Sequence, residues 1–236
     1  MPGLIDATPN VVLAVYAHPD DADVACGGTL ARWAKAGSEV HLVVCTNGGK
    51  GTPDPDIDMA SLAARRAGEL AEAAGVVGIT SYQGLGMTDG ELENTHDLRA
   101  ELVGWIRRLH PEVVLGHDPT AVFFAQHYFN HHDHREVGWA LLDALSPAAA
   151  LPHYFPEQGP AHQVSVAYLS GTLEPDVWVD VTETIDVKVA AVGCHRSQLP
   201  ESGSWADDVV RGRAAEEGAR AGVPYAEGFR RLHIGP

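Results

Sequence analysis

The chain has 236 residues, 45% hydrophobic and 20% charged, a composition that supplies a full core and argues against disorder. Its 32 acidic residues against 16 basic ones give a formal charge of −16, which repels phosphate backbones and anionic lipid and so argues against nucleic acid or membrane surfaces as main partners. Cys26, Cys45 and Cys194 are too widely spaced for a zinc finger and read as reduced thiols. No signal peptide and no apolar run of bilayer-spanning length is evident, so a cytoplasmic protein without an integral membrane anchor is expected.

Val11–Tyr16 is apolar without alternation, the pattern of a strand buried on both faces. A helix is predicted over 29–36, ended by Gly37, then a strand over 40–45 followed by the turn residues Asn47, Gly48 and Gly49. An Asp- and Pro-rich loop at 53–58 leads into a helix over 59–74 that stops at Gly75. Residues 79–83 read as a third strand, 97–109 as a helix, and 113–116, just after Pro111, as a fourth strand. Strands at 164–169 and 177–181 and a helix at 183–197 follow, and the pieces 206–221 and 225–232 read as a polar, Gly-rich tail.

This alternation implies right-handed βαβ units and therefore an α/β fold, Rossmann-like, with three α/β/α layers, a mostly parallel central sheet and one domain over 1–236. Such chains order their first strands 3-2-1-4, and ligands sit outside the strand ends where the order reverses. The segments after Tyr16 and after Leu115 are therefore where chemistry is expected.

After Tyr16 come Ala17-His18-Pro19-Asp20-Asp21-Ala22-Asp23 and then Cys26-Gly27-Gly28-Thr29. Carboxylates crowded at a strand end destabilise one another unless something positive compensates. Pro19 holds His18 extended, and successive residues of an extended segment point opposite ways, so Asp20 and Asp21 are free to do different jobs. The plainer reading is that Asp20 or Asp21 caps the next helix, a task Thr29 could also perform.

After the fourth strand come His117-Asp118-Pro119, an aromatic loop, and Asn130-His131-His132-Asp133-His134-Arg135-Glu136, with four histidines between His127 and His134. Imidazole suits zinc, and a catalytic zinc takes three protein ligands with one position open; His18 and Asp21 plus one histidine from this segment supply that set. The plainer reading is a capping box, with Asp133 and Glu136 starting a helix over 136–145.

Together these segments resemble the PIG-L/LmbE family of zinc-dependent N-deacetylases. The resemblance rests on Ala17-His18-Pro19-Asp20-Asp21 and His131-His132-Asp133-His134. It continues in Cys45-Thr46-Asn47-Gly48, in Arg66 with Glu69, in His195 with Ser197-Gln198, and in Tyr225-Ala226-Glu227-Gly228-Phe229. His132 stands where the family has Pro, and Asp23 where Glu is more common.

The resemblance implies a zinc site at the C-terminal ends of strands 1 and 4, with His18, Asp21 and His134 as ligands and Asp20 as general base. It also implies His131 as the group that stabilises the tetrahedral oxyanion and acts as general acid, with Asp133 orienting it and keeping it charged. The expected reaction is hydrolysis of the N-acetyl group of an acetylamino-sugar or its glycoside, a small-molecule substrate, by an enzyme that is a possible homo-oligomer. Arg66 and Asn47 are candidate sugar contacts, read as exposed residues, and His195 is a candidate near a helix end. Phe123, Phe124, Tyr128 and Phe129 are candidate pocket walls, and Trp205 with the stretch after Pro200 a candidate lid or subunit contact.

Two other functions stay open. One is a zinc amidase that cuts an amide other than acetyl, built on the same core. The other is a non-catalytic nucleotide binder using Gly27-Gly28, although G-x-G-x-x-G is absent and the neighbouring aspartates repel phosphate. The same ligands also suit iron or cobalt.

Overall fold

The computed structural model describes residues 3–126, 128–200 and 205–235. The lid or contact expected of Trp205 and the stretch after Pro200 rests on 201–204 and the Trp205 side chain, which lie outside the described residues, as does His127.

In β2 (Val11–Tyr16) the chain's period of two divides the core. Val12, Ala14 and Tyr16 face one hydrophobic cluster with Leu30, Trp33, Leu70 and Val77. Leu13 and Val15 face a second with Leu98, Leu102, Ile106 and Leu141. A strand covered on both faces has no polar side to show, which is why it reads as an uninterrupted apolar run.

β2 lies between β3 (Glu39–Thr46) and β5 (Val113–His117), and β3 also pairs with β4 (Ser81–Met87); all three pairings are parallel. This is the expected 3-2-1-4 arrangement, with the reversal between β2 and β5. Beyond β5 the sheet continues through β8 (Val166–Ser170), β10 (Ala226–His233), β9 (Val177–Asp180) and the short β1 (Gly3–Leu4). Among the described residues of this sheet, only β10 runs antiparallel to its neighbours. The helices α1 (Asp21–Lys35), α2 (Met59–Val77), α5 (Ile185–Cys194) and α6 (Trp205–Ala221) associate with one another, and α3 (His96–Leu109) packs on α4 (His132–Asp143). Residues 123–124 and 128–129 form a small hairpin, β6 and β7, in which Phe123 opposes Phe129 and Phe124 opposes Tyr128.

Local chemistry explains several boundaries. Asp58 caps α2 by accepting from the Ser61 N–H, and Thr95 caps α3 by accepting from Leu98. α2 runs past Gly75 and stops at Gly78, whose φ of 86° is the left-handed conformation that ends helices.

Besides such shifts of element ends, the structure departs from the sequence reading in three larger ways. α1 starts at Asp21 rather than at 29, running through the glycine pair with a break in helical geometry at Cys26. The amide N–H groups of Gly28 and Thr29 that this break leaves free donate to the Glu227 carboxylate at 3.0 and 2.7 Å. α4 starts at His132 without the Asp133–Glu136 capping box: His131 is the cap, and Asp133 and Glu136 reach instead to the 90–94 loop. The tail is no tail, since it forms α6 and the internal strand β10.

Candidate active site

The loops after β2 and β5 and the start of α4 bring one group of side chains together at the strand ends. His18 Nδ1 lies 3.1 Å from His134 Nε2 and 3.2 Å from Asp21 Oδ2, and His134 Nε2 lies 3.1 Å from Asp21 Oδ1. A tetrahedral ion with bonds of about 2.0–2.1 Å needs ligand atoms about 3.3–3.4 Å apart. The three side chains named from the sequence therefore have the donor types and the spacing of a divalent-metal site. His131 and His117 widen the group, since His18–His131–His134 and Asp21–His117–His134 also offer converging ligand atoms.

The outer contacts agree with that role. His18 Nε2 points at Asp89 Oδ1 (3.2 Å) and Asp133 Oδ2 (3.3 Å), which favours a proton on Nε2 and leaves Nδ1 bare. His134 Nδ1 faces the amide oxygen of buried Asn130 at 3.1 Å, which leaves its Nε2 bare in the same way. Asp133, fully buried, also accepts from the N–H groups of Gly90 and Leu92. His117 stacks on His134 with ring centroids 4.1 Å apart and sets Nε2 3.2 Å from Asp21 Oδ2.

The electrostatics are those of a site short of positive charge. Burial opposes the charged form of His18, yet the carboxylates of Asp21, Asp133 and Asp89 outweigh it and push its pKa up to about 12. Burial likewise opposes ionisation of Asp133, but its bonds to His18, Gly90 and Leu92 hold it down at about 2. Asp21 is held well below the carboxylate range against its own burial by the three histidines around it. A cluster that grips a proton so firmly answers the same deficit with a dication.

Asp20 stands at the cap position of α1 without capping it, three-quarters covered, and accepts from Arg66 Nη2 at 2.7 Å. Arg66 is buried rather than exposed as expected: it is 3% exposed and its other arm donates to the Gly48 carbonyl at 2.9 Å. Gly48 is required there, because its φ is +64° and a Cβ would sit 2.5 Å from the guanidinium. Asn47 is exposed as expected, its side-chain oxygen closing a local turn onto the Gly49 N–H.

His195 is buried, with Nε2 2.7 Å from Asp23 Oδ2, and it is not among the converging metal-capable groups of the described residues. Asp133 meets His131 through its backbone N–H, which donates to His131 Nδ1 at 3.2 Å. The carboxylate is drawn away by His18 and two backbone donors. Burial, followed by the charges of His18 and His134, lowers the pKa of His131, against the pull of the Asp133 and Asp89 charges.

Asp89 and Asn130 were not assigned roles from the sequence. Asp89 looks like any turn residue in Thr88-Asp89-Gly90, and Asn130 signals itself only by preceding the histidine run. A cavity of about 640 Å³ opens beside the cluster, with Asp21, His117, His134, Phe124 and Tyr128 in its wall.

The fold and this cluster define a Rossmann-like α/β protein with a histidine–carboxylate cluster, of a kind that could hold a metal ion, at the switch point of its sheet. The family model described as "PIG-L: GlcNAc-PI de-N-acetylase" matches residues 13–145, and the chain belongs to that family. It is similar to diacetylchitobiose deacetylase of Thermococcus kodakarensis, with 33% identity covering 95% of this chain and 86% of that protein. It is 33% identical to 1D-myo-inositol 2-acetamido-2-deoxy-alpha-D-glucopyranoside deacetylase 2 of Saccharopolyspora erythraea, covering 79% and 83%. The solved structure of N,N'-diacetylchitobiose deacetylase from Pyrococcus horikoshii superposes with a TM-score of 0.87 at 30% identity, covering 95% of this chain and 84% of that one.

Proposed function

We propose that this chain is a zinc-dependent hydrolase that removes the N-acetyl group of an acetylamino-sugar or its glycoside, releasing acetate and a free amine. The observation that carries the reading is the spacing of His18 Nδ1, Asp21 and His134 Nε2. The deacetylase relatives support the reaction class.

In this reading His18, Asp21 and His134 hold the ion, which supplies Lewis acidity and a lowered pKa for water when bound. Asp20, oriented by Arg66, takes a proton from the attacking water and returns it to the leaving nitrogen. His131 accepts the Asp133 N–H at Nδ1, so a neutral ring carries its proton on Nε2 and donates it as a hydrogen bond to the oxyanion. Asp133 and Asp89 act on the far side of His18, fixing its orientation. Arg66 orients Asp20, and His195 pairs with Asp23. Residues 1–236 work as one domain, in the cytoplasm, on a small molecule, as a homo-oligomer. Among the described residues no helix is long and apolar enough to cross a membrane.

The test is acetate release from N-acetylglucosamine and a panel of its glycosides. Activity is expected in the native protein, absent after chelation, restored by zinc, and lowered about 10²–10⁴-fold in Asp20→Ala at full metal loading. Full metal binding without acetate from any sugar would overturn the substrate class and leave the site standing.

A further inference from the structure

An amide substrate has two ends of different chemistry, and the surroundings of the cluster are divided in the same way. On one side stand Asp20, Arg66 and Asp89, all charged. On the other lies the cavity of about 640 Å³, whose wall takes Asp21, His117 and His134 from the cluster. Between α1, α5 and α6 that wall is formed by Val24, Ala25, Val192, Val209, Val210 and Ala214. Its deeper polar groups are spoken for. Lys188 is paired with Glu227, Glu227 also accepts from Gly28 and Thr29, and Glu217 accepts from Trp178 Nε1. Arg213 and Glu216, also in the wall, are exposed side chains at its solvent edge.

A cavity whose wall between α1, α5 and α6 is apolar, and whose Lys188, Glu217 and Glu227 are already bonded, rewards an apolar occupant along that wall and offers a sugar ring few free partners there. The sugar end of the amide belongs with the charged groups, and the acyl end with the cavity. The volume is in the range of pockets that take whole ligands of about 300–1,000 Å³, far beyond the needs of one methyl group.

We infer that the cavity between α1, α5 and α6 is an acyl pocket, and that the chain hydrolyses N-acyl amino-sugars whose acyl group is a longer aliphatic chain as well as N-acetyl ones. This rests on the proposed hydrolase reading and extends its substrate class. The step is unchanged: the water oxygen bonds the acyl carbon, the C–N bond breaks, the amine leaves with the proton, and the acyl group leaves as its carboxylate.

The experiment uses metal-loaded protein with N-acetyl-, N-butanoyl- and N-hexanoyl-glucosamine, reading amine release for each. Each seated methylene is expected to improve KM about fourfold, so the hexanoyl sugar exceeds the acetyl one in kcat/KM. Val209→Trp, at a half-buried wall position, is expected to lower the hexanoyl-to-acetyl ratio of kcat/KM at least tenfold. Acetyl release with kcat/KM falling at each added methylene would overturn the acyl pocket and leave the deacetylase reading intact. No release from any of the three sugars would instead count against the hydrolase reading itself. A ratio that Val209→Trp leaves unmoved would place the acyl chain outside this cavity and overturn the assignment.

Discussion

Two buried histidine–aspartate groups begin from the same stretch of chain, and they differ in one respect that separates structure from chemistry. Asp23 and His195 form a closed pair, one carboxylate oxygen against one ring nitrogen at 2.7 Å, both almost fully covered. Around His18 three carboxylates converge on one ring, which cannot satisfy them all. The first group sets one carboxylate against one ring, with His195 Nδ1 left buried and without a hydrogen-bond partner among the described residues. The second carries a surplus of negative charge in a part-buried place, which an added cation relieves. A histidine beside an aspartate is thus a weak sign of a site, and a carboxylate surplus is a strong one.

The contrast between the two groups breaks most severely at Asp21. Asp21→Ala removes a proposed ligand and the charge facing three histidines, and is expected to abolish both zinc binding, measured by titration against a chromogenic chelator, and acetate release. Retained zinc at normal affinity would remove Asp21 from the ligand set. Asp133→Asn keeps the shape but weakens the grip on His18, and is expected to cost about 10–100-fold in metal affinity.

Acid offers a third test. Asp133 has a folded pKa of about 2, below the ordinary 3.8, so its stabilising contribution is complete above about pH 4 and is lost as pH falls toward 2. Melting temperatures of chelated protein should fall across that window, and fall less in Asp133→Asn. The smallest effect is expected on the closed side. Asp23→Asn still offers an oxygen to His195, so it should cost about 1 kcal/mol in denaturant unfolding and leave metal affinity unchanged. A loss of metal affinity there would show that the two groups are not independent.

What the sequence discloses follows the same physics. β2 declares itself because a strand buried on both faces is apolar throughout, and β3 through the apolar run 42–45 that follows His41. Of the proposed ligands, His18 and Asp21 are legible from their place just after such a strand, while His134 is singled out among its neighbouring histidines only by the family resemblance. β10 hides because Ala226–His233 contains Glu227, Arg230 and Arg231, which suggest solvent, although Glu227 is buried against Lys188 and the amides of α1. α6 hides because Gly212 and Gly218 interrupt a polar helix whose stability comes from burying Val210 and Ala214. Asp89 and Arg66 could be assigned only once the chain was folded, since each acts through a partner tens of residues away.

The bond from Glu227 to the amides of Gly28 and Thr29 joins positions 199 and 198 residues apart. It ties the timing of maturation to the far end of the chain. A nascent polypeptide emerging from the ribosome exposes the loop carrying His18 and Asp21 early, but the helix behind that loop gains this anchor only when β10 has been released. Trimming a few residues too many from the C-terminus therefore strikes at the start of the protein.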